Sequence, residues 1–172
     1  AASADKAVEL GMNSKLLDMH LGLIALQKGD SATAERQFEE VLKKSPDHAG
    51  AMTKLALLLA ERNDDGDQKR ALMLAEKAGQ AFPNSPEVAA VLGWTYYRTG
   101  RTVDGENLLR AAAAQPNADP LPLFLFSRML FAEQKTAEAG EAAKLLKRRV
   151  EQPGLFVFRP VAKKWLEKVE PQ

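Results

Sequence analysis

Apolar and polar positions alternate along this chain with a helical period, and the helical stretches come in pairs. Leu17, Leu21, Ile24 and Ala25 recur at three- and four-residue spacing, and after Lys28-Gly29-Asp30 the spacing resumes with Ala34, Phe38, Val41 and Leu42. Each stretch predicts an amphipathic helix with one buried stripe, and the glycine between them predicts a turn that lays the second helix antiparallel to the first. The pair then recurs. Leu21-Gly22, Leu55-Ala56, Leu92-Gly93 and Phe126-Ser127 form one column, whose second residues are spaced 34, 37 and 34 apart. Ala34, Ala71, Gly105 and Ala139 form another, spaced 37, 34 and 34. Three extra residues therefore lie in the second pair, at Asp64-Asp65-Gly66-Asp67, which is expected to protrude as a loop. A third column holds Phe38, Ala75, Leu109 and Ala143, followed by Val41, Ala78, Ala112 and Leu146.

The punctuation supports the same division. Ser85-Pro86 and Asp119-Pro120 each set a capping side chain before a proline at the first helical turn, where the missing N–H costs nothing. Helix breaks are expected at Gly29, Asn63, Gly100 and Gln134. Small residues in two columns have a packing reason, since helices approach closely only where neither presents bulk.

A unit of this length points to a solenoid, in which each helix pair buries its apolar face against its neighbours. The pattern resembles the tetratricopeptide repeat, through Leu21-Gly22-Gly29-Ala34-Phe38-Pro46 and Leu92-Gly93-Tyr96-Gly100-Leu109 above all. Asp18, Met52, Ala89 and Leu123 stand where that family carries an early Trp, and Gly105 replaces its usual Ala. The resemblance covers about residues 15 to 150. It implies an all-α fold, a right-handed α-α superhelix of about four helix–turn–helix repeats at 15–48, 49–85, 86–119 and 120–153. Residues 1–14, with Ala4, Ala7 and Val8, are expected to end a preceding repeat or form an N-terminal cap. Residues 154–172 are expected to form a C-terminal capping helix. Its stripe of Val161, Ala162, Trp165, Leu166 and Val169 would cover the last repeat, with Lys163, Lys164, Glu167 and Lys168 opposite.

Composition narrows the chemistry. The 172 residues are 45% hydrophobic, enough to bury a core, and 24 Lys plus Arg against 23 Asp plus Glu give a net charge of +1. Such a balance gives no global field toward nucleic acid or an anionic membrane. Apolar stretches fall short of the roughly 20 residues of a membrane helix. The absence of cysteine excludes thiolate chemistry and is silent on redox compartment, so localisation stays open. His20 and His48 lack the partners a catalytic or metal site needs, and Asp64-Asp65-Gly66-Asp67 lacks the ligand order of a calcium loop. The basic run at Lys144, Lys147, Arg148 and Arg149 is interspersed with Glu138, Glu141 and Glu151 and reads as a solvated helix face. The expectation is therefore a protein without enzymatic activity, cofactor or metal.

In tetratricopeptide arrays the first helices of successive units line a concave face that receives peptides or a partner helix. Carried over by register, the resemblance implies a partner-binding set of Leu23, Lys54, Leu57, Trp94, Tyr97, Arg98, Phe124, Arg128 and Phe131. One subgroup clamps a C-terminal carboxylate; at the matching positions Met19, Leu23, Lys54, Glu87 and Val91, only Lys54 fits. Trp94, Tyr97, Phe124 and Phe131 beside Arg98 and Arg128 have the composition of an interface hot spot. The alternative for these aromatics is a core between adjacent helices, or cover from the C-terminal segment Leu155-Phe156-Val157-Phe158. The expected function is a scaffold holding a protein or peptide in the concave groove, without nucleic acid or membrane insertion. Its rival is an accessory or assembly part of a larger protein, the groove being filled in cis or by self-association.

Overall fold

The computed structural model describes residues 14–116 and 119–169, and every regular element among them is an α-helix. Four antiparallel pairs follow one another: α1 Ser14–Gln27 with α2 Ser31–Lys44, α3 Ala49–Ala60 with α4 Asp65–Ala81, α5 Pro86–Arg98 with α6 Thr102–Ala113, and α7 Pro120–Ala132 with α8 Thr136–Glu151. A last helix, α9, spans Arg159–Val169. The expected N-terminal element at 1–14 falls almost wholly outside the described residues.

Local chemistry sets the helix starts. Asp30, His48, Asp64, Ser85 and Asp119 each accept a backbone N–H of the helix they precede, from Thr33, Ala51, Asp67, Val88 and Leu121. These bonds satisfy donors that the first turn otherwise leaves orphaned. Pro86 and Pro120 occupy the first turns of α5 and α7. Between paired helices the chain turns through left-handed backbone, at Gly29 (φ 75°), Gly100 (φ 88°) and, without a glycine, Gln134 (φ 57°). The breaks thus fall where the sequence places them.

The acidic run of the second pair is a correction. It does not protrude as a loop. Asp64 caps α4, Asp65 and Asp67 lie in its first turn, and the three extra residues lengthen that helix to 17 residues. Carboxylates beside the positive end of a helix are favourable there, and Arg62 holds Asp67 at 3.0 Å. His48 is half-buried and caps α3 through Nδ1.

The small columns are the seams of the fold. Gly22, Ala56, Gly93 and Ser127 are all buried, as are Ala34, Ala71, Gly105 and Ala139. At α5 and α6 the seam is backbone against backbone: a Cβ on Gly105 would sit 2.6 Å from the Gly93 carbonyl oxygen and 2.7 Å from the Tyr97 nitrogen. The missing alanine at this place has that cause. Phe38, Leu55, Leu59, Leu109, Leu125 and Leu146 fill the layers between helices. The buried hydroxyls of Thr53, Thr95 and Ser127 each donate to the carbonyl four residues back, so the core keeps no open polar group at these positions. On the outer side, ion pairs tie neighbouring second helices, as in Arg70–Glu39 and Arg110–Glu138, while Lys135 joins Glu106.

Candidate functional site

The first helices of the four pairs, α1, α3, α5 and α7, share one face, and the C-terminal segment returns across it. After α8 ends at Glu151, Arg159 donates to the carbonyl oxygens of Val150, Gln152 and Gly154, gathering the connecting turn around one guanidinium. Phe156, Val157 and Phe158 are then buried, and the Phe158 ring lies 5.2 Å beneath the Lys54 ammonium of α3. Farther along, Trp165 packs edge-on against two rings of α7, 5.8 Å from Phe124 and 5.2 Å from Phe131. Ala162 and Leu166 complete the buried stripe of α9, whereas Val161 remains 44% exposed.

The carried-over set divides along this geometry. Trp94 and Phe124, each 3% exposed, and Leu57 at 4% belong to the core, while Leu23, Tyr97 and Phe131 are half-buried. Trp94 packs 5.6 Å from Tyr97, whose hydroxyl is pushed to a higher pKa by burial and by the neighbouring Glu133. Lys54 is ion-paired with Glu87 and Arg98 donates to the Asn63 side chain at 2.6 Å. Arg128 spans the floor. Its guanidinium lies 4.4 Å over Trp94 and donates to both Glu61 carboxylate oxygens, at 2.6 and 2.8 Å. All three cations therefore have acceptors within the chain. The aromatic cluster fills space between helices and lies partly under the C-terminal segment.

Two clefts remain open on this face. One, of about 400 Å³, runs along the starts of the first helices, between Met19, Leu23 and Thr53 on one side and Leu155 and Val157 on the other. Lys54, Glu87 and Asp119 supply its charged groups. Burial raises the Asp119 carboxyl above the usual range, partly offset by the Leu121 N–H it accepts. The second, of about 320 Å³, lies between the ends of α1 and α3 and the exposed side of α9, with Phe124 and Leu125 at its base. The sequence does not single out Val161, Lys164 or Lys168 as part of a site, because their neighbours across the groove come from α1 and α3, more than ninety residues away. The seven-residue connection at 152–158, long enough to fold back, is the signal that points to them.

The remaining candidates have structural partners. His20 Nδ1 lies 2.8 Å from the Leu16 carbonyl, Lys144 pairs with Glu141 at 2.7 Å, and Arg149 donates to the Gln115 carbonyl. Among the described residues no group of three His, Cys, Asp or Glu converges as a metal site would require, and no helix is long and apolar enough to cross a membrane.

Comparison with known proteins agrees with this architecture. Residues 63–122 match the family model described as tetratricopeptide repeat. Over 111 residues, 62% of the chain, it is 31% identical to a TPR repeat-containing protein of Pseudomonas aeruginosa, and it spans 18% of that protein's length. Among solved structures it is similar to the crystal structure of MamA protein, at a TM-score of 0.50 and 20% identity, covering 90% of this chain and 88% of the other. The helical pairs, their buried columns and these matches show a superhelical solenoid whose repeats are similar to tetratricopeptide repeats.

Proposed function

We propose that the chain is a non-enzymatic scaffold that holds a segment of a partner protein on its concave face. The observation that carries this reading is the seating of α9. An amphipathic helix with one aromatic anchor, Trp165, already lies against α7, and apolar clefts stay open on either side of the returning segment. A face that accommodates one such helix has the shape and chemistry of helix-in-groove recognition. Of the carried-over residues, Leu23 and Lys54 line the first cleft and Leu57, Phe124 and Arg128 the second, so these five are proposed to meet the partner. Trp94, Tyr97, Arg98 and Phe131 are proposed to shape the floor and to act on binding through it.

The same observation supports a second reading, in which the module is an assembly part of a larger protein and α9 fills the groove in cis. Site-specific photo-crosslinking separates the two. A photoreactive residue at Leu23 or Leu58 on the concave face, or at Val103 on α6 of the outer side, is introduced into the chain in cells that produce it. Crosslinks to another protein from the first two positions and not from Val103 support the groove. Crosslinks from Val103 alone, or only within the chain, refute it.

A further inference from the structure

We propose that the cleft between α9 and the ends of α1 and α3 receives a bulky apolar side chain of an acidic partner segment, with Lys164 and Lys168 facing its carboxylates. This rests on the scaffold reading and names the chemistry of the partner at one of its two clefts. The base and walls are apolar, with Leu26, Leu57, Phe124 and the half-exposed Val161 turned toward an open space of about 320 Å³. Taking such a surface out of water favours an apolar guest over a polar one.

Charge then selects the flanks of that guest. Four charged side chains line the cleft, and two of them cancel: Arg128 is held by Glu61 in a two-pronged pair, which also fixes both groups against the floor. Lys164 and Lys168 remain, one turn apart on the same side of α9, with no acidic partner among the described residues. The cleft therefore carries a positive rim over an apolar base. Charge complementarity of this kind steers and orients a partner while the buried contact holds it. On this view α9 is a wall of the binding site as well as the cover of the last repeat. Lys163 provides an internal control, since it is exposed on the same helix and does not line the cleft.

The test uses the full chain and three blocked peptides of equal length. One carries a Leu-Phe pair flanked by Asp and Glu, the second the same pair flanked by Lys, and the third the acidic flanks with Ser in place of Leu and Phe. Calorimetric titration should show the acidic apolar peptide binding about tenfold or more tightly than either relative, with an advantage over the Lys-flanked peptide that shrinks as salt shortens the reach of exposed charges. Lys164→Glu with Lys168→Glu should weaken the acidic peptide by about tenfold or more, and Val161→Asp should do the same, whereas Lys163→Glu should change it less than about twofold. Circular dichroism verifies that each variant is folded. Equal binding of the acidic and Lys-flanked peptides, an equal loss in Lys163→Glu, or no binding of any peptide overturns the assignment. Failure here alongside crosslinks from Leu23, which lines the other cleft, leaves the scaffold reading standing and removes only this cleft.

Discussion

Two glycines in second helices should respond to the same substitution with opposite sign. Gly105 of α6 and Gly140 of α8 both lie within helices, where replacing Gly by Ala ordinarily stabilises by roughly 0.5–1 kcal/mol. At Gly140 nothing beyond the helix's own adjoining backbone comes within 4 Å of the position a Cβ would take, so that gain should appear in full. At Gly105 the new methyl would stand 2.6 Å from the Gly93 oxygen and 2.7 and 3.1 Å from the Tyr97 nitrogen and Cα. All three are backbone atoms of α5, so no rotamer change relieves them and the two helices must part. Overpacking of this kind costs about 1–3 kcal/mol, which exceeds the helix-propensity gain of about 1 kcal/mol or less. Gly105→Ala should therefore lose about 1–2 kcal/mol net, and the two variants should differ by about 2–3 kcal/mol. Urea unfolding gives the comparison through midpoints at a shared slope, and the thermal midpoints should diverge by several degrees, at about 2–4 °C per kcal/mol. A Gly105→Ala chain at least as stable as the parent would refute the close seam between α5 and α6.

Other expectations follow from burial and charge. Trp94→Ala and Phe124→Ala should each lower stability by about 3–5 kcal/mol in urea titrations, since both rings are buried; a loss below 1 kcal/mol would move them to the surface. Trp165→Ala should cost about 1–3 kcal/mol through its two edge-on ring contacts and lost burial, and an unchanged midpoint would show that α9 does not pack on α7. Lys135, and then Arg110, hold the Glu106 carboxyl below its ordinary pKa. Its contribution is therefore complete above the unfolded-state value near about pH 4.3 and is lost as pH falls through the lower folded value. The parent should lose more stability than Glu106→Gln between pH 5 and pH 3, and parallel pH profiles would exclude this network.

The repeat was legible in the sequence because its signal is periodic. Gly22, Ala56, Gly93 and Ser127 share one environment, so their spacing announces it four times over, and capping pairs such as Ser85-Pro86 act on neighbours within a turn. The Asp64–Asp67 run differs from its sequence expectation because an insertion can be absorbed either by a loop or by a longer helix. The choice falls to contacts such as Arg62 with Asp67, together with the cap at Asp64. The groove was the least legible part. Aromatics that line a binding face and aromatics that fill a core have the same helical spacing, and what covers Phe124 and Phe131 is Trp165, more than thirty residues on. No local pattern reports where a segment beyond the repeats will return.

The Arg128–Glu61 pair has a consequence for how the chain unfolds. A solenoid in which each unit touches only its neighbours behaves as a one-dimensional array and can fray from its ends. Here Arg128 of the fourth helix pair reaches Glu61 of the second, passing over Trp94 of the third. The C-terminal segment adds another long link, from Phe158 to Lys54. An end unit that melts must break these longer ties as well as its nearest seam. The second to fourth pairs are thereby tied together beyond nearest neighbours, and they should exchange their amide hydrogens together, as one foldon, instead of in sequence from the C-terminus inward.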